Sequence, residues 1–215
     1  MKVDVNGVQI DLVPNSRPYL LKRIAADGFD TFLIFVLFML FTALILKTPA
    51  ANVYHAHLAR YQAIEAEVAS DLGNDAEAVS EALSGNEEYL SERLAANVHS
   101  YLLKAAACFL AEGIILLAVP LFSRFRCTPG KLMTGIIPFY EQRQSRAVPW
   151  QVIARFVFVF LIDSLAWYLL TGILTFLLVP LLRLTEMLLN RKNKTICDWM
   201  TGVLVIEKLS YDGIN

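Results

Sequence analysis

The stretch that decides the fold is Arg23-Ile-Ala-Ala-Asp-Gly-Phe-Asp30, which leads directly into the uncharged residues 31–46. A charged side chain inside a membrane span costs roughly 2.5 to 3.5 kcal/mol, so an aspartate at the mouth of a span needs a partner. On a helix, Arg23, Asp27 and Asp30 fall within about 60° of one another. The sequence therefore predicts a membrane helix with buried ionisable groups on one face.

The composition agrees with a membrane protein. Hydrophobic residues make up 56% of the chain, and the mean hydropathy is +0.51. A soluble domain of this size could not cover so much apolar surface, so we expect lipid to cover it. No cleavage site precedes the first apolar run, which we expect to be retained as a span. Cys108, Cys127 and Cys197 have no metal-site spacing, and we expect free thiols.

Three apolar stretches need to be placed in the membrane: residues 24–46, 105–122 and 152–189. As a single helix, the third would be about 57 Å long, nearly twice the ~30 Å hydrocarbon core. We therefore predict that it folds back near Thr171 and Gly172, which gives four spans. A re-entrant hairpin that never crosses fully is the alternative.

Charge segregation predicts the orientation. Lysine and arginine cluster before the first span, in residues 123–150 and after residue 190, whereas residues 48–100 contain nine acids and only Arg60 and Arg93 as strong bases. Because cytoplasmic loops carry the excess of positive charge, both termini are predicted to be cytoplasmic and the acidic segment to lie outside. The expected location is the bacterial inner membrane.

The predicted fold is an all-α membrane protein: a four-helix transmembrane bundle with an extracytoplasmic helical insert and a small cytoplasmic β element. Its predicted segments are a cytoplasmic N-terminal hairpin (1–22), the first transmembrane helix (23–47), the acidic helical insert (48–100), the second transmembrane helix (101–122), a cytoplasmic loop (123–150), the third and fourth transmembrane helices as a hairpin (151–190) and a cytoplasmic C-terminal segment (191–215).

The insert is predicted to contain two or three amphipathic helices. Apolar side chains recur every three or four residues along 54–72. Asn74 is expected to cap a second helix, with Glu77 at its third position, and a third helix is expected to start near Asn86.

The β element is predicted from short strand-like pieces. Residues 3–5 and 8–10 flank Asn6-Gly7, the dipeptide that favours a type I′ hairpin turn. A second hairpin is expected from residues 135–140 and Ala147-Val148, with 202–206 as a closing strand. Pro138 is expected to restrict its strand to a sheet edge.

The buried charges suggest two sites. Asp30 is expected to form a structural ion pair with Arg23 or Arg155, because all three lie toward the cytoplasmic third of the bundle. Glu112 and Asp163 are the acids nearest mid-membrane, where they could share a proton or hold a cation. Alternatively, each carboxyl hydrogen-bonds a neighbouring hydroxyl or faces the outer water.

The Thr128-Pro129-Gly130-Lys131 element is predicted to open a short interfacial helix, with Thr128 as its N-cap. The frame of a nucleotide-binding P-loop is absent. We expect Lys131 to meet lipid phosphate and the start of the helix to approach Asp198.

Nothing in the sequence indicates catalysis. No histidine lies in the predicted spans, so a membrane hydrolase has no visible base. His55, His57 and His99 are expected to be solvated rather than to bind a metal. We expect no enzymatic activity, no cofactor, no metal and no nucleic-acid partner.

These motifs together resemble the RDD family of bacterial membrane proteins, which is named for an arginine and two aspartates. The matching residues are Arg23, Ala26 and Asp30, then Thr128, Gly130, Lys131 and Gly135, then Arg155, and finally Asp198, Gly202 and Val205. The chain departs from the family pattern at Cys197, where a histidine is usual, and at Val203, where a threonine is common. Most members of the family have no assigned activity, and cation/proton exchange has been proposed for a few.

Two function classes remain open from the sequence. The favoured one is an accessory or scaffold subunit that binds another membrane or envelope component, because the long insert distinguishes this chain and no matched pair of broken helices marks a transport site. The alternative is a small secondary transporter or cation/proton exchanger for Na⁺ or H⁺, with Glu112 and Asp163 as its ion site. Four spans enclose little path, so transport would require a homo-oligomer.

Overall fold

The computed structural model describes the backbone of residues 2–5, 8–11, 17–73, 75–140, 145–169, 173–189 and 194–207. Side chains are described for 20–73, 75–140, 147–162, 181–189 and 194–206. The helices are α1 (Arg17–Ile45), α2 (Asn52–Leu72), α3 (Ala76–Ser84), α4 (Glu87–Glu112), α5 (Val119–Phe122), α6 (Pro129–Thr134), α7 (Pro149–Leu169), α8 (Ile173–Leu189) and α9 (Ile196–Thr201). The strands are β1 (Lys2–Val5), β2 (Val8–Asp11), β3 (Ile136–Tyr140), β4 (Ser145–Arg146) and β5 (Val203–Glu207).

The chain divides into two compact units. One consists of residues 1–38 together with 108–215, and the other of residues 39–107. The first unit carries all the residues of the RDD-like pattern, and the second carries the acidic insert.

Two helical segments of the described chain are long and apolar enough to cross a membrane: Leu20–Ile45 and Glu87–Phe122. Large apolar side chains such as Phe32 and Leu102 are 61% and 56% exposed, as expected for helices whose outer surface meets lipid. In the third apolar stretch α7 ends at Leu169 and α8 begins at Ile173. The predicted fold-back near Thr171 and Gly172 lies outside the described residues and stays a prediction.

The second long helix contains a π-helical segment, Gly113–Ala118, between α4 and α5. Pro120 follows this segment and lies in the first turn of α5. Proline has no N–H to donate within a helix, and its ring crowds the carbonyl one turn earlier. The wider π turn lies where this backbone conflict occurs.

The insert unit is helical, as the sequence predicts. Asp75, not Asn74, caps α3: its carboxylate accepts hydrogen bonds from the backbone N–H groups of Glu77 and Ala78, at 3.1 and 3.3 Å. The start of α4 lies where expected, because the Asn86 side chain accepts from the Tyr89 N–H at 3.0 Å.

The N-terminal hairpin is confirmed in its strands. β1 and β2 are antiparallel, and Val5 is opposite Val8, which leaves two residues for the turn. The turn itself, Asn6-Gly7, lies outside the described residues.

The second sheet has the strand order β4-β3-β5, and it corrects two predictions. The short outer strand is Ser145–Arg146 rather than Ala147-Val148. Pro138 lies in the central strand rather than at an edge, opposite Val205 of β5. Its carbonyl accepts from the Ala147 N–H on the β4 side. The nitrogen and carbonyl of one residue point to the same side of an antiparallel strand, so the missing N–H costs no bond to β5.

This sheet is buried on both faces, which explains its short apolar strands. Cys127, Ile137, Phe139, Leu204 and Ile206 form one cluster, with Phe125 packed against it. Ile136 and Val205 form another with Ala26 of α1. The sheet is therefore packed directly against the charged end of the first membrane helix.

Candidate functional site

The site is organised around the Asp198 carboxylate in the first turn of α9. Thr195 caps this helix, accepting from the Asp198 N–H at 3.2 Å, and Asp198 Oδ2 accepts from the Thr195 N–H at 3.2 Å. Arg23 of α1 donates to the same Oδ2 from Nη2 at 2.5 Å. Arg155 of α7 places Nη2 2.7 Å from Oδ1. One carboxylate thus joins three helices.

The charge state of this cluster follows from its burial and its neighbours. The side chains of Asp198 and Arg23 are 0% and 2% exposed, and that of Arg155 is 21% exposed. Burial alone would raise the pKa of Asp198, but the positive charges of Arg155 and Arg23 outweigh it and hold that pKa well below its usual range. Asp198 is therefore ionised across the physiological pH range.

Asp30 has a different partner from the one predicted. Thr128 donates its hydroxyl to Asp30 Oδ2, and the Gly130 N–H donates to Oδ1 at 2.7 Å. The prediction that Asp30 pairs with Arg23 or Arg155 is wrong, since both guanidinium groups bind Asp198. The Gly130 N–H at the start of α6 binds Asp30, while Lys131 of the same helix is near enough to Asp198 to help lower its pKa. Backbone and hydroxyl donors bind Asp30, while the guanidinium groups of Arg23 and Arg155 bind the second aspartate, Asp198.

A close approach of α6 to α1 makes the Asp30 contacts possible. A Cβ atom at Gly130 would lie 2.1 Å from the Ala26 carbonyl oxygen and 2.9 Å from Asp30 Oδ1. Ala26 is itself 0% exposed, which leaves no room for a larger side chain. Gly130 of the loop motif and Ala26 of the α1 motif thus pack against each other.

Lys131 lies inside the protein rather than at its surface. Its side chain is 9% exposed, and Nζ is 3.5 Å from Asp27 Oδ1. Gly135, with a φ of 69°, ends this short helix in the left-handed conformation, as Gly202 does for α9 with a φ of 65°. Both motif glycines therefore serve to turn the chain into strands of the sheet.

Sequence reasoning missed one buried polar side chain, Gln151. It is 0% exposed, accepts from the Val148 N–H at 3.0 Å and donates to the Thr201 carbonyl at 2.7 Å. The sequence feature that could have indicated this role is a single amide side chain at the start of an apolar stretch. Gln151 links the start of α7 to the end of α9.

Glu112 is buried at 1% exposure, where α4 passes into the π-helical segment. Cys108, one turn earlier, donates its thiol to Glu112 Oε1 at 3.3 Å. Asp163 lies on α7, but its side chain is outside the described residues. A meeting of Glu112 and Asp163 stays a prediction.

A cavity of about 140 Å³ lies beside these contacts. Its charged lining includes five bases and three acids: Arg23, Arg126, Lys131, Arg155, Arg183, Asp27, Asp30 and Glu186. Its apolar lining includes Ile34, Leu116, Val152, Phe156, Val159, Ile162 and Leu182. The cavity therefore combines a basic end with an apolar wall.

Cys197 also lines the cavity, at the position where the family pattern has a histidine. Burial raises the pKa of its thiol, despite the opposing effect of Arg155 and Arg183. The thiol is therefore neutral at physiological pH. It cannot supply the titration near pH 6 or 7 that a histidine would.

The model of the RDD family matches residues 17–202. The chain belongs to the RDD family. No curated protein and no solved structure matches it. In the sequence pattern described above, the arginine and two aspartates that give the family its name correspond to Arg23, Asp30 and Asp198, and each of these aspartates joins α1 to a different segment.

The ion pairs can be separated by double-mutant cycles. Asp198→Asn leaves two arginines without their carboxylate, one of them fully buried, and should lower the free energy of unfolding by about 3 to 5 kcal/mol. Arg155→Gln should cost less alone and show coupling to Asp198→Asn. Thermal unfolding of the purified protein measures both. Because the pKa of Asp198 is lowered in the folded state, its contribution is complete above the unfolded value of about 3.9 and is lost as pH falls below it.

The same cycle discriminates between the two aspartates. Asp30→Asn should couple to Thr128→Ala, which removes its hydroxyl donor. Coupling of Asp30→Asn to Arg23→Gln, with none to Thr128→Ala, would contradict the assignment.

Gly130→Ala tests the close approach of α6 to α1. The added methyl overlaps the Ala26 carbonyl oxygen, so the helices must separate and the hydrogen bonds to Asp30 lengthen. We expect a loss of about 1 to 3 kcal/mol in unfolding free energy, measured by thermal unfolding. Gly113→Ala is the matched control, because a Cβ there meets nothing within 4 Å. Equal effects of the two substitutions would refute the steric explanation.

Proposed function

We propose that this RDD protein is a non-catalytic accessory or scaffold subunit of the bacterial cytoplasmic membrane. In this proposal α1, residues 101–122, α7 and α8 are four spans, both termini are cytoplasmic, and the insert (48–100) lies outside. The subunit would bind another membrane or envelope component or a second copy of itself.

The observation that carries the proposal is that the RDD aspartates are bound by other groups of the protein. Asp198 is enclosed by two arginines and its own capping box, and Asp30 accepts from Thr128 and Gly130. A transport site must release and rebind its ion, whereas these carboxylates are fixed by protein donors on several sides. Their geometry supports a structural role, in which they hold the membrane helices to the small sheet.

The proposed partner surface is on the insert. Within the insert, apolar side chains recur every fourth residue along α4 and are exposed by 45% to 65%: Leu90, Leu94 and Val98. Residues four apart lie on one helix face, so these side chains form an apolar stripe. Stripes of this kind mark interaction sites when they continue over several turns. The stripe runs toward the membrane part of the same helix, which favours a membrane-bound partner.

The second candidate is cation/proton exchange through Glu112 and Asp163. It is favoured by one observation, the burial of the Glu112 carboxyl beside a π-helical segment. Such segments are frequent at functional sites. However, Glu112 is not among the residues that line the described cavity.

Thiol labelling tests the proposed topology. Ser145→Cys should be protected from an impermeant maleimide added to intact cells, because residues 123–150 are placed in the cytoplasm by their basic charge. Ser70→Cys, exposed in the insert, should be labelled. The native cysteines are buried, and the unsubstituted protein measures their background. Labelling of Ser145→Cys from outside would overturn the topology.

A flux assay decides between the two functions. The purified protein in liposomes should show no sodium- or proton-dependent flux under imposed gradients of either ion. Glu112→Gln preserves the shape of the side chain, so we expect it to unfold at the wild-type temperature. Flux in the wild type that disappears in Glu112→Gln would favour exchange and contradict the scaffold proposal. Flux that persists in the variant would still contradict the scaffold but exclude Glu112 from the mechanism.

A further inference from the structure

The cavity beside the RDD residues has a graded polarity. Along α1 its lining changes from Arg23, Asp27 and Asp30 to Ile34, and along α7 it changes from Arg155 to Ile162. Both helices thus run from a charged end to an apolar end. In the membrane placement proposed above, the charged end faces the cytoplasm and the apolar end faces the hydrocarbon core. A ligand that matches this gradient is itself amphiphilic.

The charge balance of the lining favours an anion. Arg23 and Arg155 bind Asp198, and Lys131 is near Asp27. Glu186 accepts a hydrogen bond from the Ile196 N–H at 3.1 Å. Among the residues that the structure describes, the five bases of the cavity outnumber its three acids and Asp198 together, which leaves an excess of positive charge.

The excess positive charge of the cavity is accessible to a ligand at Arg126. It donates from Nη1 to the neutral carbonyl of Leu121, and in the part of the chain that the structure describes no carboxylate pairs with it. Among the described non-glycine residues, Arg126 alone has a positive φ, of 56°. A left-handed arginine is strained, and strain of this kind clusters at functional sites. Arg126 lines the cavity, and the N–H donors of its guanidinium that do not bind Leu121 suit a phosphate.

We propose that the cavity binds the phosphate-bearing headgroup of an anionic lipid, with Arg126 as its main contact. A volume of about 140 Å³ corresponds to only a few water molecules at about 30 Å³ each. It is well below the ~300 Å³ at which pockets begin to enclose drug-sized ligands. The cavity therefore encloses the headgroup phosphate and the methylene groups next to it, and the rest of the acyl chains stays in the bilayer.

The apolar wall distinguishes a lipid from a free phosphate ion. Phe156, Val159 and Ile162 line the cavity on one face of α7 and offer nothing to a hydrated inorganic anion. They can contact the first methylene groups of an acyl chain. Binding should therefore need both the negative charge and the chain.

The test compares lipids on the full purified chain in detergent. Phosphatidylglycerol, phosphatidylcholine and sodium phosphate are added separately, and bound lipid is measured by native mass spectrometry together with the melting temperature. Phosphatidylglycerol should be retained and should raise the melting temperature, because it carries the net negative charge that phosphatidylcholine lacks. Equal retention of the two lipids, or equal stabilisation by phosphate ion, would overturn the proposal.

Variants of the loop test the assigned contact. Arg126→Asn removes the guanidinium but tolerates the left-handed conformation, so affinity for phosphatidylglycerol should fall about tenfold or more with no drop in the lipid-free melting temperature. Arg124→Asn is the matched control, since Arg124 is exposed in the same loop, does not line the cavity and should leave lipid affinity unchanged. An equal loss of lipid affinity in both variants would show that the effect comes from general surface charge, and it would refute the site.

A structural effect of Arg126 is separated by a conservative variant. If Arg126→Asn lowers the lipid-free melting temperature, Arg126→Lys decides, because it keeps the charge at the same place. Retained preference for phosphatidylglycerol supports the proposal, and its loss overturns it. The lipid result is independent of the thiol-labelling result, so failure of the site and failure of the topology are distinguishable.

Discussion

The structure depends on the attraction between one buried carboxylate, Asp198, and two arginines. Arg23 comes from α1 and Arg155 from α7, while Asp198 begins the short helix that turns at Gly202 into β5. A charge removed from water this completely is costly, and only well-placed opposite charges and hydrogen bonds offset the cost. The capping box with Thr195 supplies the additional hydrogen bonds. The pair therefore fixes where the C-terminal strand can lie relative to the membrane helices.

A second contact on the same face of α1 completes the arrangement. Asp30, seven residues after Arg23, accepts from Thr128 and from the Gly130 backbone. Helix α1 thus provides a cation, Arg23, that binds the C-terminal segment, and an anion, Asp30, that binds the loop containing Thr128 and Gly130. Those two segments provide β5 and β3, which pair with each other. The two contacts on α1 and the strand pairing support one another, because each brings the same segments together.

Part of this could be predicted from the sequence. The spacing of Arg23 and Asp30 placed both residues on one helix face, and Asn6-Gly7 indicated the hairpin whose strands are β1 and β2. The partners of the charges could not be predicted, because helical phase shows which residues share a face but not which segments approach it. That choice depends on Gly130, whose missing Cβ lets backbone donors reach Asp30. The prediction that Pro138 lies in an edge strand was wrong because it did not consider which side of the strand the proline nitrogen faces.

The departures of this chain from the family pattern bear on what the site can do. Where a histidine is usual, Cys197 presents a buried, neutral thiol to the cavity, so this position holds no group that titrates near neutral pH. Asp198 beside it is held ionised by its two arginines. Neither Cys197 nor Asp198 therefore changes its charge near neutral pH, which disfavours proton exchange at these two positions. Arg23 and Arg155, which fix the fold through Asp198, also line the cavity in which we propose that an anionic headgroup binds.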